Sequence, residues 1–125
     1  MKVITFDEMV ELPVGSVFCK YVPRYLEPKW RIKTGETVTN RYNGERVFSG
    51  VMELEPWAVN QEDMPHSTGT YLTEMSTVDT RSFDIGEKGD LFAVLEDYEI
   101  VDMAKALLWA LNGCDVDFRK IFKQY

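Results

Sequence analysis

The pair Asn43-Gly44 is the feature that most constrains how this chain folds. Asn-Gly readily adopts the left-handed backbone that a tight β-hairpin requires. The pair stands between two β-rich segments, Thr37–Tyr42 and Glu45–Leu54. The sequence therefore predicts that these segments pair as antiparallel strands, which excludes an all-helical fold. Gly50, inside the second segment, predicts a bulge or a close backbone approach.

Alternating or β-rich stretches elsewhere extend the predicted sheet. Further strands are expected over Met1–Phe6, Ser16–Val22, Lys29–Thr34, Thr70–Met75, Val78–Phe83 and Leu91–Leu95. A short helix is expected over Asp7–Leu12, with Asp7 as its N-cap. In the segment Lys29–Thr34, Trp30 and Ile32 are expected to face the core.

The end of the chain is expected to be helical. Asp97 caps a predicted helix of about fifteen residues that ends at Asn112-Gly113. Its apolar residues recur at intervals of three and four, which predicts one buried face. They are Ile100, Met103, Ala104, Leu107, Leu108 and Leu111. A second, short helix is expected from Asp115, with a stripe formed by Phe118, Ile121, Phe122 and Tyr125.

The predicted fold class is therefore α+β: an antiparallel β-sheet or a small barrel with a C-terminal helical hairpin packed on it. A chain of 125 residues fits one domain, so residues 1–125 are expected to form a single domain.

Charge is concentrated in one part of the chain. The formal net charge is −7, and residues 51–100 carry twelve acidic and two basic side chains. Phosphate contacts need clustered Lys and Arg, so direct nucleic-acid binding is not expected. The acidic stretch is interpreted either as a solubilising face or as a surface for a basic partner protein. The candidate partner-binding residues are Glu53, Glu55, Trp57, Glu62 and Asp63, with Trp57 as the apolar anchor.

A basic strip provides the second candidate site. Lys29, Arg31 and Lys33 are expected to share one strand face, near Tyr21 and Arg24. Such a set is suited to holding a small anion, with a tyrosine stacked on a nucleotide base. The alternative interpretation is that these residues protect an exposed edge strand from aggregation.

No motif in the sequence indicates catalysis, a metal or a cofactor. The one histidine, His66, lies in a polar run expected to be a loop. Cys19 and Cys114 lie too far apart in sequence for a metal-binding pair and suit a reducing cytoplasm. No signal peptide and no membrane-spanning segment are expected, so the predicted location is the cytoplasm.

Two segments, ELPVGSVFCKY at 11–21 and LFAVLEDYEIVDMAKALLWAL at 91–111, resemble a pattern of small acidic phage and prophage accessory proteins. The resemblance implies a virus-encoded binding protein that acts on host machinery in the host cytoplasm. It implies no site residue and no cofactor.

Three functions follow from these observations. The first is a non-enzymatic inhibitor, of the anti-defence or anti-CRISPR type, that covers a basic surface of a host protein with acidic residues. The second is an oligomeric protein that sequesters a small anionic ligand such as a nucleotide signal, with the pocket at a homo-oligomer interface. The third is a small enzyme of unknown class.

Overall fold

A computed structural model describes residues 1–114 and has a mixed fold of helices and a mostly antiparallel sheet. The helices are α1 (Phe6–Val10), α2 (Ser82–Ile85) and α3 (Asp97–Leu111). The strands are β1 (Lys2–Thr5), β2 (Val17–Val22), β3 (Tyr25–Leu26), β4 (Arg31–Lys33), β5 (Val38–Thr39), β6 (Arg46–Val47), β7 (Ser49–Glu53), β8 (Trp57–Ala58), β9 (Thr73–Glu74), β10 (Thr77–Arg81) and β11 (Leu91–Val94). The α+β class is confirmed. The predicted second C-terminal helix falls on residues 115–125, outside the described residues.

Within residues 1–114, seven strands form the main sheet in the order β1-β11-β2-β4-β7-β10, with β3 paired to β2. The pairs β11–β2, β2–β4, β4–β7 and β7–β10 are antiparallel. The strands β1 and β10 lie at opposite edges, so the sheet is open. The predicted antiparallel sheet is confirmed, and the alternative of a small barrel is wrong.

The hairpin predicted at Asn43-Gly44 is present, and it joins β5 to β6. Its loop is longer than a two-residue turn: the Asn40 N–H donates to the Glu45 carbonyl and the Gly44 N–H donates to the Asn40 carbonyl, each at 2.7 Å. Gly44 has a φ of +72°, the left-handed backbone that favours glycine. The second predicted segment, Glu45–Leu54, forms two strands, β6 and β7, which the buried Phe48 separates.

The close backbone approach predicted at Gly50 is confirmed. Gly50 has a φ of +114°, and its carbonyl accepts the N–H groups of Thr34 and Gly35. A Cβ atom on Gly35 would lie 1.7 Å from the Ser49 carbonyl oxygen. Only glycine fits there, so the end of β4 can lie directly against the start of β7.

Helix α1 begins one residue earlier than expected because Thr5, not Asp7, is its N-cap. The Thr5 hydroxyl accepts the Glu8 N–H at 3.2 Å, and the Glu8 carboxylate accepts the Thr5 N–H at 3.3 Å. This reciprocal capping box satisfies two N–H groups at the helix start. It orients α1 so that Met9 and Val10 are buried.

The chain forms two compact units, one comprising residues 3–94 and the other containing residues 1–2 and α3. The core of the first unit is made by Ile4, Met9, Val10, Phe18, Phe48, Val51, Ile85 and Phe92. At its centre, the Phe92 ring lies edge-on to Phe18, with the ring centroids 6.4 Å apart. The expectation of a single domain stays a prediction.

Helix α3 ends where predicted, but its N-cap is Glu96 and not Asp97, because Glu96 forms a capping box with Glu99, and its apolar face is not buried. No residue of α3 is buried. Five are half-buried: Glu99, Ile100, Val101, Lys105 and Trp109. The expected burial of the face that contains Leu107 and Leu111 is therefore wrong within residues 97–111, because this side of the helix faces solvent.

Candidate partner-binding surface

A long connecting segment joins β7 to β10, two neighbouring strands of the main sheet. Strands β7 and β10 are antiparallel, with Met52 opposite Thr77. Continuing this register by two residues places Leu54 opposite Met75. We name the intervening segment, Glu55–Glu74, the arm. It is an insertion at the open end of a β-hairpin, where a two-residue turn would suffice.

The arm is ordered by its own backbone hydrogen bonds. Strands β8 and β9 pair with Trp57 opposite Glu74, and the Val59 N–H donates to the Leu72 carbonyl at 3.0 Å. At the far end, the Asn60 side chain accepts the Glu62 N–H at 3.0 Å and caps a single 3-10 turn. The strand expected over Thr70–Met75 is shortened to β9.

No residue of the arm is buried, and Ala58 is its one half-buried residue. Its exposed large apolar side chains are Trp57, Val59, Met64, Tyr71 and Leu72. The exposed fraction is 40% for Trp57 and 77% for Leu72. Burying one such side chain contributes roughly 1.5–3 kcal/mol. A concentration of unburied apolar groups in one segment is typical of a surface that another molecule covers.

The arm carries negative charge without compensating cations. It contains four carboxylates, from Glu55, Glu62, Asp63 and Glu74, and no Lys or Arg. The structure thus brings four of the predicted partner-binding residues, Glu55, Trp57, Glu62 and Asp63, into one exposed segment. Sequence reasoning missed Leu72 and Glu74, because the β8–β9 pairing that places Glu74 opposite Trp57, and the hydrogen bond that joins Leu72 to Val59, have no local signal.

Glu53, the fifth candidate in that set, is not on the exposed surface. Its side chain is buried, and its carboxylate lies 3.3 Å from the Lys29 Nζ and 3.9 Å from the Arg31 Nε. The expectation that Glu53 shares an exposed acidic face is therefore wrong. A carboxylate buried in the sheet requires cationic neighbours, and the opposed pair Arg31–Glu53 of β4 and β7 supplies one.

Lys33 was expected on a solvent-facing strand face with Lys29 and Arg31, but its side chain is buried. It is 1% exposed, and its ammonium donates to the carbonyls of Val10 and Leu12 and to the Thr37 hydroxyl. It also lies 4.5 Å from the centroid of the Phe48 ring. Lys33 thus satisfies carbonyl groups at the end of α1 that lack helical partners. Burial holds the pKa of Lys33 below its ordinary value.

The remaining residues of the basic strip do not form an edge or a single pocket. Strand β4 lies between β2 and β7, so edge protection does not apply to Arg31, and Lys29 precedes β4. Lys29 lines a cavity of about 70 Å³ beside Glu53, well below the roughly 300 Å³ of common ligand sites. Arg24 is exposed, and its backbone N–H donates to the Tyr21 hydroxyl at 3.2 Å.

A larger groove of about 320 Å³ includes Lys33 and Arg46 but also Glu11 and Glu36. The Arg46 guanidinium donates to both carboxylate oxygens of Glu11, at 2.8 and 3.2 Å. This hydrogen bonding holds the pKa of Glu11 below its ordinary value. An anion entering the groove would compete with Glu11 for the same guanidinium.

Within the described residues, no group of three His, Cys, Asp or Glu side chains is placed to hold a metal ion. His66, the one histidine, is exposed on the arm. Among residues 1–114, no helix is long and apolar enough to cross a membrane. Comparisons with family models, curated proteins and solved structures find no match to this chain.

Proposed function

We propose that this protein is a non-enzymatic binding protein that inhibits a host protein by covering its basic surface with the arm. One observation carries the proposal: the arm exposes five large apolar side chains and four carboxylates, carries no Lys or Arg, and buries none of its residues. Its apolar groups supply affinity, and its carboxylates select a positively charged partner.

The partner class follows from this chemistry. A groove that binds nucleic acid is lined by Lys and Arg and contains aromatic or apolar platforms for bases. Carboxylates of the arm would take the place of phosphates, and Trp57 the place of a base. The partner we propose is a nucleic-acid-binding protein of the host. The resemblance to phage accessory proteins favours a defence protein, such as a CRISPR effector, within that class.

Sequestration of a small anion has less support. That function requires the basic strip to converge on a cavity. Instead, Lys29 and Arg31 lie beside Glu53, Lys33 binds α1 carbonyls, and Arg46 is occupied by Glu11. We therefore propose the anion-binding role only for the groove at Arg46, as the second candidate.

Site-specific photo-crosslinking in host cells tests the proposal. A photoreactive amino acid replaces Trp57 in one variant and Lys88, an exposed residue outside the arm, in the control. We expect the Trp57 position to capture a nucleic-acid-binding protein that the Lys88 position does not. Added DNA or RNA should reduce the capture, since nucleic acid and arm would compete for one groove.

Equal capture at both positions would contradict the proposed role of the arm. Capture that nucleic acid does not reduce would contradict the proposed partner surface. A nucleotide that co-purifies with the protein and is lost in an Arg46→Gln variant would favour the second candidate.

A further inference from the structure

Strands β8 and β9 form a two-stranded ribbon at the base of the arm, and its register places four side chains on one face. Trp57 lies opposite Glu74. The Val59 N–H donates to the Leu72 carbonyl at 3.0 Å, which continues the same antiparallel register. Residues two apart in a strand share a face, and so do residues directly opposite each other. Trp57, Val59, Leu72 and Glu74 therefore lie on one side of the ribbon, which we name the ribbon face.

The ribbon face combines apolar surface with one unpaired carboxylate. All four of its side chains are exposed. Within residues 1–114, Glu74 forms no ion pair, because the ion pairs of these residues involve other carboxylates. The arm itself contains no Lys or Arg. A cation that pairs with Glu74 would thus come from another molecule.

Glu74 differs from the other carboxylates of the arm in what lies beside it. Glu62 and Asp63 belong to the 3-10 turn at the far end, and Glu55 precedes β8. Only Glu74, among the four, is placed opposite an aromatic residue by the strand register. Opposed residues of an antiparallel pair have Cβ atoms about 4.5–5.5 Å apart. An indole and a carboxylate at this spacing can contact the same small cation.

The chemistry of the pair favours a guanidinium over an ammonium. A guanidinium is planar and weakly hydrated, so it stacks on an indole face. Its N–H groups form a fork that donates two parallel hydrogen bonds to one carboxylate. A lysine ammonium is a strongly hydrated point charge without a flat face. The methylene stem of an arginine also covers apolar surface, which Val59 and Leu72 supply on the ribbon face.

We propose that Trp57 and Glu74 form a recognition site for an arginine side chain of the partner. The indole stacks on the guanidinium, and the Glu74 carboxylate accepts its N–H groups. This inference rests on the proposed function, which requires a basic partner, and it names arginine rather than lysine as the residue bound at the base of the arm.

Two peptides of equal charge, hexa-arginine and hexa-lysine, test this proposal on the full chain. Their common charge attracts all the carboxylates of the arm, so the ratio of the two Kd values isolates the preference for arginine. Chemical shifts of the backbone amides in β8 and β9 give each Kd by nuclear magnetic resonance. Circular dichroism establishes that every variant folds.

In the parent chain, we expect hexa-arginine to bind at least about threefold more tightly than hexa-lysine. Trp57→Leu should abolish this preference, and Trp57→Phe, which keeps an aromatic face, should retain part of it. Glu74→Gln should lower the preference, because the guanidinium loses its charged acceptor. The matched control Glu62→Gln removes a carboxylate with no aromatic residue opposite, so it should weaken both peptides equally.

Equal Kd values for the two peptides in the parent chain, or no binding of either, would overturn the proposal. A preference for arginine that survives Trp57→Leu, or that Glu62→Gln lowers as much as Glu74→Gln, would overturn it as well. The proposed function fails separately, through photo-crosslinking at position 57 that captures no nucleic-acid-binding protein. That outcome does not alter the Kd ratio, because the peptides require no host partner.

Discussion

Replacing the arm by a two-residue turn is predicted to leave the fold intact. The variant joins Leu54 to Met75 through Asn-Gly, in place of Glu55–Glu74. The Leu54 N–H keeps its hydrogen bond to the Trp30 carbonyl, and β7 keeps its pairing with β10. Asn-Gly is the turn that best fits the twist of an antiparallel hairpin.

The expected change in the free energy of unfolding follows from the length of the arm and from its lack of buried residues. Shortening a twenty-residue connection to two residues reduces the entropic cost of loop closure by about 2 kcal/mol. No buried contact is lost, because no residue of the arm is buried. The free energy of unfolding should thus stay unchanged or rise by up to about 2 kcal/mol. If the five apolar side chains were packed on the fold, their loss would cost roughly 8 kcal/mol or more.

Urea unfolding followed by far-ultraviolet circular dichroism measures this change. Circular dichroism is preferred to fluorescence because the replacement removes one of the three tryptophans, Trp57, and so changes the fluorescence signal itself. A free energy of unfolding more than about 2 kcal/mol below that of the parent chain would refute the reasoning. Such a loss would mean that the arm belongs to the core and is not available to a partner.

Three further predictions concern the compact unit of residues 3–94. Lys33→Met should lower the free energy of unfolding by about 1–3 kcal/mol in urea titrations, because the Leu12 carbonyl loses the ammonium donor while the Val10 carbonyl keeps only the Thr37 hydroxyl; the exposed Lys88→Met should change it by less than about 0.5 kcal/mol, and equal losses would refute the capping role. Phe92→Ala should cost about 3–5 kcal/mol in the same titration, since the ring is fully buried, and a loss below about 1 kcal/mol would contradict its central position. The Glu87 N–H bound to the Asp90 carboxylate lowers the pKa of Asp90 in the folded state. Its contribution is present above the unfolded pKa of 3.8 and is lost as the pH falls through the lower folded pKa. Asp90→Asn should therefore lower Tm at pH 7, and the difference should shrink as the pH falls below 3.8; a Tm difference independent of pH would contradict this.

Local signals in the sequence predicted much of the fold. The Asn43-Gly44 pair predicted the hairpin because its left-handed backbone is a local property. The end of α3 followed from its apolar periodicity and from Gly113. The N-cap of α1 was misplaced by two residues, because Thr5 and Asp7 are both good caps and the capping box with Glu8 decided between them.

Non-local pairings limited the prediction of the site. Lys33 appeared solvent-facing because alternation gives two faces and a lysine usually marks the outer one. Its acceptors, Val10 and Leu12, lie more than twenty residues away in sequence. The burial of Glu53 likewise depends on the pairing of β4 with β7. Exposed residues of the arm, such as Glu62, were easier to place because no distant partner determines their position.

The central claim is that the arm binds a basic partner, and charge neutralisation in the arm tests it most directly. One variant carries Glu55→Gln, Glu62→Gln, Asp63→Asn and Glu74→Gln. The matched control removes four exposed carboxylates outside the arm, through Glu27→Gln, Glu36→Gln, Asp84→Asn and Glu87→Gln. The net charge of the two variants is identical.

The measurement is the Kd for the protein captured through position 57, by calorimetry at about 0.05 M and about 0.5 M salt. At about 0.5 kcal/mol for each carboxylate, the arm variant should bind roughly 30-fold more weakly at low salt, with a much smaller deficit at high salt. The control should bind like the parent chain. Equal weakening of the arm variant and the control would contradict the account, since net charge and not the arm would then determine binding.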